Sequence, residues 1–164
     1  MVKTKKLQKP KTNWKILVYC LIAVYATAFI GSIFTSNAVK SDWYESIKPS
    51  ITPPGYVFPI VWNILFFLIA LSFYFAIINS KDSKDKRKIT GVFVTNFLLN
   101  ILWSVLYFGI RNPLASFIEI IFLIASIALM ILVTCKISKK SAYLLVPYLI
   151  WVCFASILNY LSIK

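Results

Sequence analysis

Histidine is absent from this chain, and only five of its 164 residues are acidic. Imidazole is the commonest general base and metal ligand, so its absence excludes a histidine-based triad or metal centre. The acids are Asp42, Glu45, Asp82, Asp85 and Glu119, and no pair of them is spaced for shared acid and base work. Cys20, Cys135 and Cys153 lack ligand-like spacing and are expected to pack rather than to crosslink or bind zinc. Neither a metal nor a cofactor is expected. Charge is scarce as well, at 14% of residues against about 25% in an ordinary soluble domain.

What fills the chain is apolar, with 60% of residues hydrophobic. A membrane-spanning helix needs roughly 20 mostly apolar residues. Five runs meet that need: Ile16 to Ala38, Tyr56 to Asn79, Ile89 to Ile110, Leu114 to Cys135, and Ala142 to Ile163. The expected architecture is an all-α integral membrane protein. A basic tail over residues 1–15 precedes a single five-helix transmembrane domain over residues 16–164. The connections are short and polar, with seven charges in the eight residues from Lys81 to Lys88 and a tight turn at Arg111-Asn112-Pro113. The exception is the long first connection, residues 39–57. Pro49, Pro53 and Pro54 predict extended or turned backbone there, since proline cannot donate to a helix or sheet ladder.

A net charge of +13 invites a nucleic-acid reading, but the basic residues alternate sides of the membrane. The tail, the second-to-third connection and the fourth-to-fifth connection hold all but Lys40, Lys48, Arg111 and Lys164. The positive-inside rule therefore predicts a cytoplasmic amino terminus and an external first connection, in a multi-pass protein of a bacterial cell membrane. Attraction to an anionic leaflet accounts for the lysines without a polyanionic partner. The start also resembles a secretory leader ending at Ala26-Thr27-Ala28. Apolar character continues to Phe34, so an uncleaved span is expected.

Helical spacing gathers the polar and aromatic residues onto single faces. Asn96, Asn100, Trp103 and Tyr107 form one stripe, Phe58, Trp62 and Phe66 a second, and Tyr148, Trp151, Ala155 and Asn159 a third. Amides facing lipid would be unsatisfied, so these faces should turn inward. Such an interior suits a flat, conjugated or sterol-like ligand, although the stripes alone favour ordinary interhelical packing and interface belts. Trp14 and Tyr143 are assigned to the interfacial belts. Glu119 is the one acid inside a span, and is either a capping or packing group near the interface or a ligand or proton group. Ala23, Thr27 and Gly31 form a small-residue stripe on the first span, fit for a dimer contact or for packing within one bundle.

Specific strings add a direction. Trp43-Tyr44, then KPSITPPG, then Val61-Trp62 resembles the TspO/MBR family of tryptophan-rich sensory proteins and translocator or peripheral-type benzodiazepine receptors. Leu99-Asn100 with Trp103-Ser104 and Phe108-Gly109, and the run from Leu144 to Trp151 leading to Phe154-Ala155 and Leu158-Asn159, extend the resemblance across residues 43–160. It implies a five-helix bundle, often homodimeric. Its cavity would lie under the first connection and take porphyrins such as protoporphyrin and haem, sterols, and benzodiazepine-site drugs. On the positions that match, Tyr44, Pro53, Trp62, Phe66, Asn100, Trp151 and Ala155 would line that cavity, with Trp103 and Tyr148 as neighbours.

Two departures matter: the family's usual Trp after KPS is Ile51 here, and its common fourth-helix Asp is Glu119. Leu158 to Lys164 formally fits a proposed cholesterol pattern, a weak signal on its own. The expected function is a membrane receptor or sensor for porphyrins and related hydrophobic molecules. An alternative is a light-dependent porphyrin-degrading enzyme using Trp62 and Trp151, with the excited porphyrin driving the chemistry. A transporter is the weaker alternative, because the spans show no inverted repeat and few ionisable coupling groups.

Overall fold

The computed structural model describes residues 13–163. Most of the basic tail and Lys164 lie outside the described residues. Lys15 already belongs to the first helix, α1 (Trp14–Ala38). It is followed by short α2 (Asp42–Ile47), then α3 (Val57–Ile78), α4 (Ser83–Ser104), α5 (Pro113–Cys135) and α6 (Lys139–Leu161). Among the described residues, five helices are long and apolar enough to cross a membrane. The chain is an all-helical, multi-pass integral membrane protein.

Local chemistry sets where these helices start. Asn13, Asp82, Asn112 and Ser138 each accept a hydrogen bond from a backbone N–H three residues on, at 3.4, 2.8, 3.0 and 3.3 Å. Side-chain caps of this kind satisfy amides that have no intrahelical partner. They explain why α4 begins at Ser83 rather than near Ile89, and α6 at Lys139 rather than near Ala142. Hydropathy marks the segment in hydrocarbon, whereas the caps lie beyond it in the charged connections.

The first connection departs from the expected extended or turned chain in one stretch. Asp42–Ile47 is helical, opened by Ser41, whose Oγ accepts from Tyr44 N at 3.3 Å. Proline-bearing turns follow, with Thr52 N donating to Pro49 O at 3.0 Å and Val57 N to Pro54 O at 2.9 Å.

The long helices close into a ring in the order α1, α3, α6, α5, α4, and α3 also meets α4 across the middle. Two apolar clusters fill the ring. The larger runs from the charged connections to mid-membrane and includes Phe73 stacked on Phe93 at 4.5 Å between ring centroids. Ser72 Oγ donates to Ser141 O at 2.9 Å, and Ser141 Oγ returns a bond to Ser72 O at 2.7 Å, clasping α3 to α6. The smaller cluster, Ala38, Tyr107 and Phe108 with Trp43 and Tyr44 against it, lies at the end carrying α2. The outward surface is apolar, as a hydrocarbon solvent requires. Phe29, Leu98, Leu132 and Ile150 are all exposed, and so are the belt residues Trp14 and Tyr143.

The small-residue stripe of α1 is used inside the bundle. A Cβ added at Gly31 would stand 3.3 Å from Ser104 Oγ, so glycine lets α1 and α4 approach closely.

Candidate functional site

The lower half of α4 carries the centre of the site. Beyond Ser104 the helix widens into a π-turn, Val105–Gly109, with Ile110 N donating to Val105 O at 2.7 Å. The extra residue in this turn lets the neighbours Tyr107 and Phe108 both point inward and become buried. Gly109 is needed for a close approach, since a Cβ there would lie 3.1 Å from Phe34 Cδ1. Arg111 then takes a left-handed φ of 59°, and Asn112 starts α5. The tight turn expected at Arg111-Asn112-Pro113 is present.

The three sequence stripes converge. Trp62, Asn100, Trp103 and Ala155 border one interior void, completed by Ile120, Leu123 and Val152. Trp62 stacks on Phe66 at 5.2 Å and meets the edge of Tyr148 at 6.2 Å. Trp151 stands beside this group, edge-on to Phe58 at 5.9 Å. Tyr44 sits at the α2 end, 5.9 Å from Phe108. Pro53 is half-buried in the first connection and does not line the void. Tyr107 follows Trp103 on the inward face and reaches the α2 end. Its ring stacks on Trp103 at 5.2 Å and meets Trp43 at 5.9 Å.

The polar groups of the interior satisfy one another. Asn100 Nδ2 donates to the Tyr148 hydroxyl at 3.1 Å, that hydroxyl donates to Asn96 Oδ1 at 3.3 Å, and Asn96 Nδ2 donates to Ser126 Oγ at 2.8 Å. Nearer α2, Trp103 Nε1 donates to Asn159 Oδ1 at 3.0 Å, while Asn159 Nδ2 donates to Pro113 O at 2.8 Å. The Tyr107 hydroxyl donates to Ser162 Oγ at 3.0 Å. These relays tie α4 to α5 and α6, which rigidifies the wall around the void.

Besides Thr52 in the first connection, two buried groups within the long helices stay outside the relays. Trp151 Nε1 and both carboxylate oxygens of Glu119 have no hydrogen-bond partner among the described residues. Glu119 is 5% exposed, and the side-chain cap of α5 is Asn112. Burial of Glu119 alongside Ser116, Ile120 and Leu123 puts it on the interior side of α5. Outside the spans, burial pushes the Tyr44 phenol up to about 12, and the nearby Tyr107 and Glu45 add to that shift.

Sequence reasoning chose the tryptophans and amides but missed the α5 wall. Ser116, Glu119, Ile120, Leu123 and Ile127 share one buried helical face, among aliphatic residues that cover the rest of α5 as well. The π-turn has no comparable mark in the sequence.

The void is about 10 Å³, whereas small-molecule pockets measure about 300 Å³ or more. The aromatic side chains themselves occupy the interior. The fold and site thus define a membrane bundle with a closed, tryptophan-lined centre. The chain belongs to the TspO/MBR family, whose model matches residues 19–163. It is similar to the Tryptophan-rich protein TspO of Archaeoglobus fulgidus, 43% identical over 88% of this chain and 92% of that one. The Tryptophan-rich protein TspO of Chlorobaculum tepidum is 36% identical over 88% and 91%. The human Translocator protein is 28% identical over 80% and 79%. Five apolar helices and bacterial relatives from Chlorobaculum and Bacillus assign it to a bacterial membrane.

Proposed function

We propose that the protein is a membrane receptor or sensor that binds porphyrins, and related flat hydrophobic molecules such as sterols and benzodiazepine-site drugs. The ligand would enter the interior bordered by Trp62, Asn100, Trp103 and Ala155. The observation that supports this most is the meeting of three separately placed sequence motifs around one void. Aromatic faces stack on a conjugated ring, and few polar edges are needed to orient it. Trp151 Nε1, buried without a partner, offers a donor to a carboxylate or carbonyl on the ligand. Names carried by relatives, Tryptophan-rich sensory protein and Translocator protein, agree with this reading.

Because the void is small, binding requires the interior to open. The first connection is the natural lid. α2 rests on the π-turn through Tyr44 and Trp43, and half-buried Pro53 follows in the same segment. The lid would face outward and the lysine-rich connections inward, and a homodimer is part of the reading. Protoporphyrin titrated into the reconstituted protein should quench native tryptophan fluorescence saturably. Alanine at Trp62, Asn100 or Trp151 should weaken the affinity, and unaltered affinity in all three would remove the site. Illumination of the complex separates binding from degradation, since a Soret band that decays no faster than in buffer excludes turnover.

A further inference from the structure

We propose that the lysine-rich end of the bundle holds a discrete site for the phosphate of an anionic phospholipid. A cavity of about 160 Å³ lies where α3 ends, α4 begins and α5 ends, far larger than the void in the interior. Lys81, Lys88 and Lys136 supply three ammonium groups, and Asp85 is the one acid among the lining residues. Asp85 Oδ2 accepts from Lys81 N at 3.4 Å, so part of its charge is directed at backbone. Among the described residues the one ion pair, Lys48 with Glu45 at 2.8 Å, is at the opposite end. Among the described residues, none of the three ammonium groups is in an ion pair, and they outnumber the one carboxylate of the cavity. They leave the cavity positively charged where headgroups lie. Basic pockets between helix ends hold lipid phosphates in this way.

The remaining walls argue for a lipid over a free anion. Val133 and Ile137 form an apolar side of the cavity. Leu129, one turn before Val133 on α5, is 50% exposed and continues that apolar track toward the hydrocarbon. A phosphate among the lysines would thus leave its acyl chains running along α5. Lys140 does not line the cavity, and its Nζ stands over the Phe75 ring at 4.0 Å instead.

The test is native mass spectrometry of the full chain released from vesicles with equal phosphatidylglycerol and phosphatidylcholine. One phosphatidylglycerol should be retained in preference to phosphatidylcholine. Lys88→Gln and Lys136→Gln should each lower that retention about fivefold. Lys84→Gln and Lys86→Gln, which remove the same charge outside the cavity, should leave it close to wild type. Equal losses in both pairs would overturn the proposal in favour of diffuse surface attraction. So would inorganic phosphate that binds the protein and displaces phosphatidylglycerol at equal concentration. Thermal unfolding checks that each variant is folded before it is compared.

Discussion

The two halves of the bundle interior are built from different materials. Toward the lysine-rich connections, Phe73, Phe93, Ile69, Ile89, Met130 and Leu145 pack with 9% exposure or less, and serines clasp α3 to α6. Toward α2, the same ring of helices encloses tryptophans, amides, a π-turn and a void. Dense apolar packing gives a single stable arrangement, because any change of volume is felt at once. Around the void, relayed amides hold the wall and flat rings occupy the interior that a ligand would have to enter. On the proposed function, stability rests on the first half and recognition on the second, within one set of helices.

The sharpest way to break this division is to damage the packed half. Phe93→Ala removes a fully buried ring stacked on Phe73 and should cost about 3–5 kcal/mol in thermal unfolding, with porphyrin affinity of the folded fraction unchanged. Trp62→Ala in the other half should do the opposite. Affinity should fall about tenfold or more, while unfolding shifts less than for Phe93→Ala.

Glu119→Met replaces a buried carboxyl that has no partner, and should raise stability by about 1–3 kcal/mol in the same melt. Loss of ligand binding in that variant would transfer Glu119 to the recognition half. The Ser72→Ala and Ser141→Ala pair should lose about 1 kcal/mol with coupling between the two sites, read from a double-mutant cycle.

The smallest effect concerns the lid. Tyr44 keeps its proton up to about pH 12 when α2 is docked, and its ordinary value is 10.0. A raised value means the docked form holds the proton more tightly. Docking is therefore fully favoured below pH 10.0 and is lost as the pH climbs toward 12. Tyrosinate absorbance should lose one late-titrating group in Tyr44→Phe relative to the unsubstituted chain.

The five spans and the inward stripes were legible because membranes impose long apolar runs and because amides cannot face lipid. Trp62, Asn100, Trp103 and Ala155 were found that way, and they do meet. What escaped depends on contacts distant in sequence. The α2 helix forms because Ser41 caps it, and it rests on the π-turn through Trp43 and Tyr44, although prolines follow it closely. The π-turn adds one residue to a turn and lets Tyr107 and Phe108 both be buried, which no periodicity can show. The α5 wall carries aliphatic residues that look alike whether they face lipid or a ligand. The burial of Glu119 follows from how α5 is rotated against its neighbours, which spacing along one helix does not fix.

Hydrogen exchange of the reconstituted full chain, with and without protoporphyrin, tests the division between the halves most directly. Ligand should slow exchange in the lid and π-turn, residues 42–57 and 100–112, and leave residues 70–78 and 89–97 unchanged. Protection spread evenly over both halves, or confined to the packed one, would contradict it.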